Sequence, residues 1–450
     1  MFEIHPAAEE NFNFKVYSLI EKIESIPHQG KYNQKFETEV HVSSTITEKD
    51  IIGDLQEKSS DYRGNTVARF FIFEGVRYGL ENESHKALVD LAEQIQRLSA
   101  FRDRLSHDFI EEAIFKWLKN SFSKNVQEKS FISALIVEAK EAVKPVTVYV
   151  PIANMVVQKP FSFCGIVICN ITKSLVNEMA ATVTSMNDEE QKNNAQAFFE
   201  KFRRDYQGYA AVEVKLDCEP KFANELAIMT AQRVTSFLGI YSGAMLMPDV
   251  KCICKIKGTE NLAQSTTISI FESNNISITH GILDRTSMRS WHISEMDIEE
   301  YAKCGLGVLS DIVVKEKPTE FESLILNTST LYSKAAFTAE PLEKLVYILS
   351  ALESTLLKNE NEPIQQNLAE RLAIFTSQEL TERKSIVKAV KSVYGLRSRY
   401  LHHGHTSGEL EGLSEFLLHV WIFYIKLLHA SQSFTDKSEF LEAIDDHKLG

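Results

Sequence analysis

The stretch Tyr394-Gly-Leu-Arg-Ser-Arg-Tyr-Leu-His-His-Gly-His405 decides how the last quarter of the chain is read. It closes a segment in which Ile386, Val390 and Val393 recur at steps of three and four, the spacing of one helical face. Gly404 suits the left-handed cap on which such a helix stops. Arg397 follows Val393 by four residues and shares its face, which predicts a guanidinium turned inward or into a groove. A buried arginine needs a partner, and Glu353, on a neighbouring predicted helix, is the candidate for a plain ion pair. Four residues separate Arg397 from His402. Imidazole moves protons near neutral pH and arginine grips phosphate with a planar fork, so the pair is a minimal kit for phosphodiester cleavage.

Outward from this stretch the pattern stays helical. A helix is expected over 321–337, ending before Pro341. Leu342, Leu345, Leu349, Leu352 and Leu356 line a second. Pro363 is placed to open a third, marked by Ile364, Leu368 and Leu372. Thr406-Ser-Gly-Glu409 has capping-box spacing for a last helix with Leu413, Leu417, Val420, Tyr424 and Leu428 on one face. The expectation is an all-α bundle over 318–435, followed by a polar tail at 436–450.

Upstream the character changes. Alternating or β-branched runs at 146–152, 163–168, 210–216, 250–256 and 266–271 predict strands, with helices at 187–206 and 222–241. The second of these carries Leu226, Met229, Val234 and Leu238 as its apolar face. An α+β sensing or regulatory domain over 143–317 is expected. Residues 1–142 read as mixed but largely helical, with a weak strand at 36–44 and strong helical periodicity over 85–120. The fold class is therefore α+β with a helical C-terminal bundle.

Composition narrows the function classes. The chain has 450 residues, 44% of them apolar and 25% charged, an ordinary globular balance. A net charge of −13 argues against a protein coated with nucleic acid over its whole surface, though not against a local basic site. The six cysteines, Cys164, Cys169, Cys218, Cys252, Cys254 and Cys304, form no C-x-x-C pair and read as buried small hydrophobes of a reducing compartment. No signal-peptide pattern and no membrane-length apolar run is read, so a cytoplasmic protein without membrane contact is expected. Dinucleotide, P-loop, nucleophile-elbow and zincin motifs are absent from the sequence. Ser290-Trp-His292 and Thr279-His280 lack companions and read as structural.

Within 381–405 the charge reverses. Arg383, Lys384, Lys388, Lys391, Arg397 and Arg399 stand against one acid, Glu382, which marks a polyanion site or a solvated helix face. Tyr394 and Tyr400 suit base stacking or core packing.

R-x4-H near the end of a helix, in a C-terminal helical bundle, resembles the HEPN superfamily, and its Apea-like branch more closely. The resemblance rests on Ala351-Leu352-Glu353 on one helix and on Tyr394, then Arg397-Ser398, three residues, His402 and a glycine on a later one. It covers about a quarter of the chain. It implies a cofactor-free, metal-independent endoribonuclease, often an antiphage or abortive-infection toxin, dimeric through the bundle and triggered by a phage component. Carried over, Arg397 binds the scissile phosphate and His402 transfers the proton. His403 also lies within the permitted spacing, and Ser398 and Glu353 support the pair. Arg383, Lys384, Lys388, Lys391, Arg399 and Tyr400 would contact RNA. A non-catalytic RNA-binding or dimerisation module, and a ligand-sensing regulator using His402-His-Gly-His405, are the competing classes. A second R-x4-H, Arg102 to His107, is either another site or a surface helix with a pair such as Arg104–Asp108.

Overall fold

A computed structural model of the chain describes residues 2–26, 58–60, 66–123, 130–183, 189–259, 264–270, 276–282, 290–359, 361–403 and 412–449. It is mostly helical with a minority of strand, an α+β protein whose C-terminal region is helical. The chain divides into two compact units, residues 1–146 with 215–225, and residues 147–214 with 226–450.

The first unit starts with α1 (Pro6–Ile20), β1 (Glu24–Ser25), β2 (Lys58–Ser60), β3 (Thr66–Phe73) and β4 (Val76–Glu81). The strands form an antiparallel sheet in the order β1-β4-β3-β2. The β3–β4 turn is Glu74-Gly75, with both φ angles positive at 49° and 79°, the conformation that matches a two-residue hairpin. Helices α2 (Asn82–Gln96), α3 (His107–Phe122) and α4 (Phe131–Ala142) follow. Their apolar stripes, including Leu88, Leu91, Ile114, Trp117 and Leu118, share one core with Phe71 and Leu80 of the sheet. The helical periodicity of 85–120 is thus two helices. Ser106 divides them: its hydroxyl accepts from the Phe109 amide at 3.1 Å and starts α3. The strand expected at 36–44 lies outside the described residues.

β5 (Lys144–Pro151) crosses from the first unit into the second, which continues with β6 (Met155–Val157), β7 (Phe161–Phe163) and β8 (Ile166–Asn170). Then come α5 (Lys173–Val183) and α6 (Glu189–Tyr206), followed by β9 (Ala210–Cys218), whose end passes into the first unit, and α7 (Pro220–Leu238), which returns from it. One sheet has the order β5-β9-β8-β7. The run 163–168, expected as one strand, is a hairpin, because Cys164 and Gly165 turn the chain with φ of 54° and 75°. The buried face of α7 is Ala223, Ala227, Ala231, Val234 and Leu238, whereas Met229, expected to face inward, is 64% exposed. The alanines allow a close approach that larger side chains would prevent.

Beyond α7 lie β10 (Gln264–Ile270), β11 (Ile276–Ile282), β12 (Trp291–Ile293), α8 (Glu295–Lys303) and α9 (Leu306–Val314). β10 and β11 pair as a hairpin, and β12 pairs parallel with β6. No strand forms at 250–256. That segment is anchored instead by separate bonds: the Cys252 amide to the Ala336 carbonyl at 2.8 Å, and an isolated bridge from Ile256 to Ile152. Cys252 and Cys254 are buried there, as expected of core cysteines, and all six thiols are free.

The C-terminal helices are α10 (Glu320–Ala336), α11 (Pro341–Leu356), α12 (Ile364–Thr376), α13 (Leu380–His403), α14 (Leu413–Ala430) and α15 (Lys437–Leu449). Thr319 and Glu322 form a capping box at α10, and Pro341 occupies the first turn of α11. The predicted apolar stripes are buried, Leu342 through Leu356 on α11 and Leu413 through Leu428 on α14. Tyr332 and Tyr424 stack at 4.7 Å in the middle, and the Tyr424 hydroxyl lies 2.8 Å from Ser329. Lys344 ties α11 to the stretch that follows α7, donating to the carbonyls of Ala244, Met247 and Val250 at 2.7 Å each. The capping box expected at 406–409 lies outside the described residues. Residues 437–449, expected within a polar tail, form a helix that buries Phe440, Leu441 and Ile444. Among the described residues only α14 is long and apolar enough to cross a membrane, and half of that stretch is buried inside the protein.

Candidate functional site

α11 and α13 build the site. Glu353 sits one turn after Leu349 and next to Leu352, at the edge of the buried stripe of α11. On α13, Val393 and Leu396 are buried, so Tyr394 and Arg397, three residues apart, emerge together at the border of that core. Arg397 Nη1 donates to Glu353 Oε1 at 2.7 Å, and the Tyr394 hydroxyl donates to the same oxygen at 2.8 Å. The side chains of Arg397 and Glu353 are 25% and 22% exposed, between a dry core pair and a solvated one.

One corner of the guanidinium is therefore engaged. Arg397 Nε is buried and has no hydrogen-bond partner. A buried donor left unmade costs about 1–3 kcal/mol, so this atom needs an explanation. The Nε–Nη2 edge is also the fork with which arginine takes an oxyanion through two bonds. Burial, and then the Glu353 carboxylate, hold the Tyr394 phenol well above its ordinary range. Tyr394 is thus a neutral donor that steadies Glu353. Its sequence readings, base stacking or core packing, missed this bond, which the three-residue step to Arg397 could have signalled.

The other expected residues divide. Ser398 is exposed. Arg383 donates from Nε to the Ser377 carbonyl at 2.8 Å and so fastens the start of α13. Lys384, Lys388 and Lys391 are exposed on α13, where they are free to meet a polyanion. Arg399, Tyr400, His402 and His403 lie on the last turns of α13, and their side chains fall outside the described residues. The backbone there is helical through His403. At about 100° per residue, His402 stands roughly 140° around the axis from Arg397, and His403 roughly 120° the other way. Neither histidine shares the face of Arg397. Gly404 and His405 lie outside the described residues.

No protein-family model, curated protein or solved structure matches the chain.

The second R-x4-H is not arranged like the first. Arg102 is exposed in the turn before α3, with Asp103 at 3.8 Å. His107 is the first residue of α3, its Nε2 3.1 Å from the Val89 carbonyl. The expected Arg104–Asp108 pair gives way to two others: Asp108 bonds Lys221, and Arg104 lies over the Phe2 ring. His107, Asp108 and Glu111 gather three ligand-type atoms within 4.8 Å. Both carboxylates already have cationic partners, Lys221 for Asp108 and Arg69 for Glu111, so the group is neutralised without a metal. Trp291 is buried and His292 exposed on β12, as a structural strand requires. Burial pushes the Cys164 thiol up to about 12, which leaves it unreactive at neutral pH.

Proposed function

We propose that the C-terminal helices form a HEPN-type endoribonuclease of the Apea-like kind, a cytoplasmic, dimeric antiphage effector regulated by the rest of the chain. One observation carries the reading. Arg397 is held by a single corner on Glu353 and Tyr394, while its buried Nε remains unpaired. A guanidinium oriented in advance, with a donor still unused, suits a phosphate whose charge grows during reaction.

The chemistry follows from RNA itself. The 2′-hydroxyl attacks the adjacent phosphorus, the 5′-oxygen of the next nucleotide leaves, and a cyclic phosphate results. One proton must be removed from the hydroxyl and one delivered to the leaving oxygen. His402 is assigned this work, with His403 as its neighbour, while Arg397 stabilises the phosphorane oxygens. Because Arg397 and His402 stand on different faces of α13, a second copy supplying its own histidine would complete the constellation. Lys384, Lys388 and Lys391, with Arg399 and Tyr400, guide the strand by phosphate contacts and stacking. Arg383, bound to Ser377, has the lesser part.

A second reading draws on the same ion pair. If Glu353 satisfies Arg397 permanently, the motif organises an interface and the bundle binds or dimerises without cutting. The two are separated by expressing the intact chain, Arg397→Ala and His402→Ala in cells with and without phage challenge, and mapping RNA ends. Fragments with cyclic phosphate ends, lost in both folded variants, support the nuclease. Identical RNA profiles in wild type and variants, with and without phage, sink it.

A further inference from the structure

α12 ends at Thr376 beside α14 and α15, and a groove of about 190 Å³ opens there. Its floor is aromatic. Phe440, fully buried, meets Phe375 at 5.0 Å and Phe434 at 5.6 Å, both edge to face. Lys426 and His447, both exposed, also line it, with Ser377 and Gln378. None of the described residues lining the groove is acidic, in a chain with 62 acids against 49 strong bases. Lys426 is already positioned: its ammonium donates to the Thr376 carbonyl at 2.6 Å and, more weakly, to the Phe375 carbonyl at 3.5 Å, which leaves one donor of three.

Size and charge together select an occupant. An apolar cavity of about 150 Å³ accommodates a benzene ring. The somewhat larger groove here fits one ring plus one small anionic group. We infer that this groove binds a small aromatic carboxylate, its ring against Phe375 and Phe434, which Phe440 backs from within, and its anion at Lys426 and His447. The site adjoins the α12–α13 corner. Ser377, in its wall, bonds Glu382 at 2.5 Å through its hydroxyl and accepts Arg383 Nε at its carbonyl. A ligand there touches the residues that start α13, the helix carrying Arg397. The inference does not depend on the nuclease reading, since binding is measured directly.

The test is calorimetric titration of the full chain with phenylacetate and with its neutral analogue phenylacetamide. Phenylacetate is expected to bind saturably and about tenfold more tightly than the amide, the preference a charge-assisted contact gives. Lys426→Gln should erase that preference, and Ala443→Leu, which fills the groove from an exposed position on α15, should abolish binding of both. Thermal unfolding confirms that each variant is folded. Three results overturn the inference: no saturable binding at millimolar probe, equal affinity for acid and amide, or binding that survives Ala443→Leu. A changed oligomeric state in Ala443→Leu, without probe binding to the wild type, would assign the groove to a second copy of the chain instead.

Discussion

Arg397 of α13 reaches Glu353 of α11 through one nitrogen, 2.7 Å from an oxygen that also receives the Tyr394 hydroxyl. The three side chains therefore act as a unit. Glu353→Ala removes the acceptor from two donors and is expected to lower stability by about 1–3 kcal/mol. Glu353→Gln keeps an oxygen and should cost less. In the Glu353→Ala background, Arg397→Met should cost little more, and a double-mutant cycle in urea checks this coupling.

Under the nuclease reading, Arg397→Lys distinguishes charge from geometry. An ammonium preserves the charge but cannot hold Glu353 at one corner and present a fork at the other. Cleavage of a labelled RNA should fall about 100-fold or more while RNA binding changes little. Alanine at Lys384, Lys388 or Lys391 should do the reverse, weakening binding and reducing the salt slope by about one per residue.

Arg371 ties three parts of the helical region together. Its side chain, 7% exposed, makes two bonds to Glu362, two to Asp445 and one to the Leu356 carbonyl. Arg371→Met leaves two carboxylates facing each other across a gap. The expected loss is about 3–5 kcal/mol, read from equilibrium unfolding.

Acid should loosen the same tie. The Arg371 hydrogen bonds, and then Lys358, hold the Asp445 carboxyl down to about 2. A carboxylate depressed in the folded state stabilises it above the unfolded value, near pH 4, and that stability is lost as pH falls towards 2. Allowing for solvent screening, the group contributes on the order of 1 kcal/mol. Hydrogen exchange along α15 between pH 5 and pH 2 should show progressive loss of protection, and Arg371→Met should remove most of that pH dependence.

In the first unit, Gly79 lies where β4 is paired on both sides. A Cβ there would fall 2.0 Å from the Arg69 carbonyl oxygen of β3, which is backbone and cannot swing away. Gly79→Ala is expected to cost more than about 3 kcal/mol and to expose residues 66–81 to exchange.

The C-terminal helices were legible because each buries one apolar face, and a face repeats at three and four residues whatever surrounds it. Leu342 through Leu356 and Leu413 through Leu428 needed no tertiary knowledge. Glu353 was nameable as the partner of Arg397 for the same reason, since both sit at the edge of such stripes. Tyr394 was not: a phenol at that position suits packing, stacking or bonding, and only the distance to Glu353 decides. α7 misled because its packing uses alanine, which pattern reading weights lightly, leaving Met229 in apparent command. At 250–256 an alternating apolar run formed no strand, since its bonds go to single partners from separate segments. α15 was lost because charge dominates its composition, while three buried residues suffice to dock it.

The division of the chain has a consequence for how the protein can be cut or exchanged. The backbone leaves the first unit at residue 146, returns to it for 215–225, and leaves again. Three covalent passages therefore link the units, and a single protease nick between them cannot release either one. A gene fusion that replaced only residues 1–146 would discard most of one unit and keep its last strand-to-helix corner. Any exchange that preserves both must carry two separated pieces of sequence, which ties the inheritance of the N-terminal part to that of the C-terminal helices.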